Sequence, residues 1–289
     1  MSGNKANDWT LIIDAQKRGW GLNLKELVRF RDLILLFVKR DFIAIYKQTI
    51  LGPLWIVLQP LLISFTLTIV FGYIAGIDLG GAPKMLFMLA GVTVWGYFSD
   101  CVLKASDTFM VNQHIFGKVY FPRLVIPLSI ILTNLLKFFI QFGLFVIFYV
   151  VYINFVDSNT GVVISWQLAL LPLIVLIMAI LGLGFGLLIS SLTTKYRDLR
   201  FLIQFGIQLA MYASPIVYPL DTVPEKYKWI LLMNPMTSII ETFKVGFFGE
   251  DFAVFNWFHL LYSLVFAIVL LFLSLSLFNK VEKSFIDTI

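Results

Sequence analysis

Six stretches of the chain stay apolar long enough to matter, at residues 52–76, 85–106, 124–153, 166–192, 200–219 and 256–278. A helix needs about 20 predominantly apolar residues to cross a bilayer. The pattern therefore predicts an all-α integral membrane protein with six transmembrane helices. The third stretch is longer than a crossing requires and must tilt or project from the membrane. The fifth is the shortest and runs into Ser214-Pro215 and Pro219.

Two further segments are patterned without being spans. Between residues 22 and 47, Lys25, Arg29, Asp32, Lys39, Arg40 and Lys47 recur along one helical stripe. Leu24, Leu27, Val28, Ile34, Leu35, Val38, Phe42 and Ile45 fill much of the remaining surface. A basic amphipathic helix of this kind is expected to lie in the membrane interface. Between residues 221 and 250 the apolar run from Trp229 to Ile240 is too short to cross and is cut at Asn234-Pro235. Such a segment dips into a membrane only where its freed backbone groups meet protein or a wet cavity. It predicts short re-entrant or interfacial helices over about residues 229–248, before the last span. On a helix, Glu241 and Lys244 would be close enough to pair. The resulting division is a cytoplasmic segment at 1–51 carrying the interface helix, a six-span domain at 52–278 and a tail at 279–289.

Charge orients this arrangement. Of the 22 Lys and Arg residues, seventeen flank one side of the spans, four the other, and Lys137 falls inside the third. The positive-inside rule then places both termini in the cytoplasm. Only 13% of residues are charged, against about 25% in a soluble domain. The net charge of +5 thus belongs to membrane flanks and not to a nucleic-acid surface. The first 30 residues have no apolar core, so no cleavable signal peptide is expected. Cys101 stands alone, which excludes an intrachain disulfide.

Several polar residues fall inside the spans. Asn134, Lys137 and Gln141 share one face of the third, and Lys137 lies too deep to reach either surface comfortably. An intramembrane cation marks a functional site by default, while polar seams between packed helices are the structural alternative. Gln204, Gln208 and Tyr212 form a similar stripe on the fifth span. Asp100 and Lys104, one helical turn apart, are expected to satisfy each other. There is no Gly-x-x-x-x-Gly-Lys-Ser/Thr phosphate loop, since Gly117-Lys118 is followed by Val119. With two histidines and one cysteine, a metal centre is not expected. These features describe a conduit powered by something else.

The loop after the second span, "NQHIFGKVYFPRLVIPLS" at 112–129, is short, basic and punctuated by Pro122 and Pro127. Taken alone it reads as a tight connector anchored at headgroups. Four segments together, however, resemble the membrane subunits of ATP-binding-cassette (ABC) polysaccharide exporters. They are "YKQTILGPLWIVLQPLL" (46–62), "KVYFPRLVIPLS" (118–129), "TTKYRDLRFLIQFGIQLAMYASPIVYPLDTVP" (193–224) and "LLMNPMTSIIETFK" (231–244). The resemblance covers roughly residues 24 to 280 and implies a homodimer in the bacterial plasma (inner) membrane, bound to two separate ATPase subunits. ATP and magnesium would then sit on those partners, with no cofactor in this chain. It also implies a coupling helix within residues 110–119, with Asn112, Gln113, His114, Ile115, Phe116, Gly117 and Lys118 as candidate contacts to the ATPase. The expected cargo is a lipid-linked glycan of O-antigen, capsule or teichoic-acid type. Lys39, Arg40 and Lys47 could receive its lipid diphosphate or serve as plain headgroup anchors. Asn134, Lys137, Gln141, Gln204, Gln208 and Tyr212 are candidates for the translocation path. The alternative within transport is an ABC exporter of a small hydrophobic compound such as a drug.

Overall fold

The computed structural model describes residues 24–47, 50–112, 115, 121–156, 163–194, 196 and 198–286, and among these it is helical with no strand. Five helices are long and apolar enough to cross a membrane. They are α3 (Leu54–Ile74), α4 (Lys84–Ser106), α5 (Val125–Phe155), α6 (Trp166–Thr193) and the apolar part, Trp257–Val281, of α10 (Trp257–Ile286). Each falls within a few residues of an expected span.

Helix α4 is the centre of the bundle, packed against α3, α5 and α6, and most of its residues are buried. It runs antiparallel to α5, which places Tyr97 5.3 Å from Phe138, ring to ring. Against α6 the approach is closer still. A Cβ on Gly182 would lie 2.6 Å from the Cβ of Cys101, so only glycine permits that spacing. Cys101 is fully buried as a result. Helix α10 covers the other side of α6.

The amphipathic segment is two helices, α1 (Leu24–Arg29) and α2 (Arg31–Tyr46), broken at Phe30. Helix α2 packs on α5, and its Phe37 is buried against Phe121, just before α5, with ring centroids 5.8 Å apart. Val28, Leu35 and Leu36 remain about 60% exposed, so apolar surface also faces outward.

The fifth apolar stretch departs from a regular span. It is helical only over α7 (Leu199–Tyr212), 14 residues with none buried, or about 21 Å at the helical rise. Pro215 and Pro219 stop it, because a proline lacks the N–H donor and crowds the preceding turn. The chain then leaves helical geometry and seats Ile216 against α4 at Gly91, where a Cβ would lie 2.9 Å from Ile216 Cγ2.

Two shorter helices follow, α8 (Glu225–Leu232) and α9 (Pro235–Phe248). The break between them falls where Asn234-Pro235 predicted it. The Asn234 side chain accepts from the Met236 N–H at 3.0 Å, and Pro235 occupies the first turn, where its missing donor costs nothing. Helix α9 is buried along its whole length. Its Phe243 and Phe247 meet Phe145 of α5, and Tyr149 donates to the Phe247 carbonyl at 2.7 Å.

Candidate functional site

A groove of about 260 Å³ opens between α3, α4, α5 and α7. Its floor is an ion pair. Lys137 of α5 donates to Asp100 Oδ2 of α4 at 2.5 Å. Around it stand Gln59 of α3, Ser99 of α4, Gln141 of α5, and Gln204 and Gln208 of α7, with Trp95, Ile63 and Met211 supplying apolar wall. Gln141 is tied down, donating to the Ile56 carbonyl at 3.1 Å. Gln59, Gln204 and Gln208 are exposed into the groove, and their side chains make no hydrogen bond to any described residue.

The expected pairing of Asp100 with Lys104 is not formed. Neighbours across two helices outcompete the one-turn neighbour, because antiparallel α4 and α5 bring Lys137 level with Asp100 and Asn134 level with Lys104. Lys104 Nζ accordingly donates to Asn134 Oδ1 at 2.9 Å. Asn134 and Thr133 line a second cleft of about 310 Å³ with Lys104, Ala44 and Asp41. The candidate path residues therefore separate. Lys137, Gln141, Gln204 and Gln208 come together; Asn134 belongs to the second cleft. Tyr212 lies beyond the groove, with its ring 6.3 Å from Phe71.

Glu241 and Lys244 do not close an ion pair among the described residues either. Lys244, counted by its position as a flanking charge, is fully buried. Its ammonium donates to the carbonyls of Pro215 and Ile216, at 2.5 and 3.2 Å, and lies 3.4 Å from the centre of the Phe87 ring. Those carbonyls belong to the irregular segment beyond the end of α7, and the lysine supplies donors that no regular helix or ladder provides there. Glu241 instead accepts from the Val254 N–H at 2.8 Å. Each residue binds a different irregular segment to α9.

On the side where α4 ends, Arg200 meets Asp107 at 2.9 Å and holds the start of α7 to α4. Burial pushes the Asp107 carboxyl up from its ordinary range, and the Arg200 charge pulls it back. Among the headgroup candidates, Lys39 and Lys47 are exposed. Arg40 is held by Asp41 at 2.7 Å and stacks over Phe37 at 4.6 Å. Of the coupling candidates, Asn112 turns inward, donating to the Thr108 carbonyl at 3.0 Å. Ile115 packs partly buried on the core. Gln113, His114, Phe116, Gly117 and Lys118 lie outside the described residues.

Over residues 32–248, from α2 to the end of α9, the sequence matches the ABC-2 type transporter family. The chain belongs to that family. The matched region contains every residue of the groove. The chain is 30% identical over 256 residues to an O-antigen export system permease protein of Klebsiella pneumoniae, covering 89% of this chain and 94% of that one. A Myxococcus xanthus protein of the same description is 26% identical over 268 residues, covering 92% and 98%. The polysialic acid transport protein KpsM of Escherichia coli is 24% identical over 249 residues, covering 82% and 89%.

Sequence reasoning missed Gln59 and Ser99. Gln59 had a signal, since it and Pro60 interrupt an otherwise unbroken apolar run from Leu54 to Leu62. Ser99 had none, because a serine in a span commonly bonds back to its own helix. Ser99 does so too, to the Gly96 carbonyl at 3.2 Å.

Proposed function

We propose that this chain is the membrane subunit of an ATP-driven exporter that moves lipid-linked polysaccharide, of O-antigen or capsule type, out of the bacterial cytoplasm. The observation that carries the reading is the likeness to O-antigen export permeases over nearly the whole of both chains. The polar groove supports it, because a hydroxyl-rich cargo needs hydrogen-bonding partners within the apolar thickness of the membrane.

In this reading two copies enclose the path. Helix α7, with no buried residue in the single chain, faces the second copy and the cargo. The segment 199–220 makes the fifth of six crossings, its regular helix completed by the turn that Lys244 holds. Both termini are cytoplasmic, and α8 and α9 form a re-entrant pair on the opposite side. Helices α1 and α2 lie at the cytoplasmic interface, where Lys39 and Lys47 present charge to a lipid diphosphate. ATP and magnesium sit on two ABC ATPase subunits, which grip the loop at 112–118.

Co-expression with the candidate ATPase tests this directly. A stable complex is expected, with ATP hydrolysis that is lost when residues 112–118 are replaced by Gly-Ser. Cells lacking the chain should retain lipid-linked glycan inside and lose it from the surface. Surface glycan that persists without the chain, or the absence of any ATPase partner, would sink the proposal.

A further inference from the structure

The groove carries a statement about which glycans it accepts, resting on the polysaccharide reading above. Gln59, Gln204 and Gln208 lie within apolar helices, yet their carboxamides have no hydrogen-bond partner among the described residues. A polar group left unmatched in hydrocarbon costs several kcal/mol, so these three face water, a ligand or the second copy, and the openness of the groove favours the first two. A carboxamide offers two donors and one acceptor on a freely turning arm. That set matches a sugar hydroxyl, itself donor and acceptor, at many orientations. The adjoining Ser99 keeps its hydroxyl lone pairs for the same use.

The charges in the groove are already spent on each other. Lys137 and Asp100 form a closed pair with side chains only 15% and 28% exposed. Among the described residues, no other ionisable side chain lines the groove. A passing carboxylate or phosphate would lose its hydration there and meet no free cation in return. A neutral segment would lose little.

We infer that the groove is a binding path for uncharged, hydroxyl-rich glycan segments, and that the Asp100–Lys137 pair excludes polyanionic chains by presenting no free positive charge.

The test uses the full chain in lipid nanodiscs. Cys101, fully buried, leaves a nearly silent background for Gln204→Cys and Gln208→Cys. A membrane-impermeant methanethiosulfonate should modify both introduced thiols. Maltoheptaose, a neutral oligosaccharide, should slow that modification at least threefold, while an oligosialic acid of equal length leaves it nearly unchanged. Ser99→Lys, which puts two cations beside the single Asp100 carboxylate and so leaves one positive charge unbalanced, should confer protection by the acidic oligomer. Equal protection by both oligomers in the unmodified groove would overturn charge selection while leaving a glycan path. Protection by neither would remove the glycan reading of the groove itself. Thiols that never react would make the groove a sealed seam between copies and overturn the inference as well.

Discussion

Two lysines of the helical bundle have different neighbours, and the difference separates a sealed charge from one at an open groove. Lys244 is sealed in protein, with two backbone carbonyls and a phenyl ring for company. Lys137 is matched by a carboxylate and borders an open groove lined by carboxamides. The first ties an irregular segment to its neighbours; the second is neutralised beside an open groove, the cargo path in the function proposed above. An intramembrane cation is thus a functional marker only once its surroundings are known.

The sharpest way to break the comparison is Lys244→Ala. It leaves two buried carbonyls without donors, each costing about 1–3 kcal/mol, and opens a hole beside Phe87. A large drop in the unfolding temperature of the detergent-solubilised protein is expected, with Lys244→Met recovering the volume but not the hydrogen bonds. An unchanged midpoint would show that the cap is dispensable.

Gly182→Val comes next and tests the dry half of the bundle. Its side chain must displace Cys101, and overpacking of this kind costs about 1–3 kcal/mol. The same thermal measurement should register the loss, with no change in the accessibility of the groove thiols. If those thiols change reactivity instead, the α4–α6 contact is coupled to the path and the two regions are not separable.

The smallest expected effect belongs to the groove. Asp100→Asn and Lys137→Met should each lower stability by about 1 kcal/mol, in keeping with a partly solvated pair. The double variant should recover most of it. A double-mutant cycle in the same assay reads the coupling, and additive losses would show that the two charges do not depend on each other.

Much of the frame was legible from periodicity alone, because a span must be long and apolar wherever it packs. Five of the six stretches became long helices, and the Asn234-Pro235 break appeared where backbone chemistry required it. The fifth stretch is regular helix only as far as Tyr212: Pro215 and Pro219 were visible, but nothing local showed how the irregular chain after it would be stabilised. Part of the groove was legible too, since Gln204 and Gln208, one turn apart, share a face in any helix. Asn134 and Tyr212 shared their helical stripes but not their destination.

What the sequence determined by itself was therefore everything set within one element: which segments are helical, where they break, and which faces carry charge. Pairing between elements was decided only by the tertiary structure. Asp100 had Lys104 one turn away and took Lys137 from the next helix; Lys244 had Glu241 within reach and took the carbonyls of Pro215 and Ile216 instead. The physical reason is that the one-turn neighbours offer only a local contact, while helix packing brings distant groups to hydrogen-bond distance in a medium that penalises every unmet one.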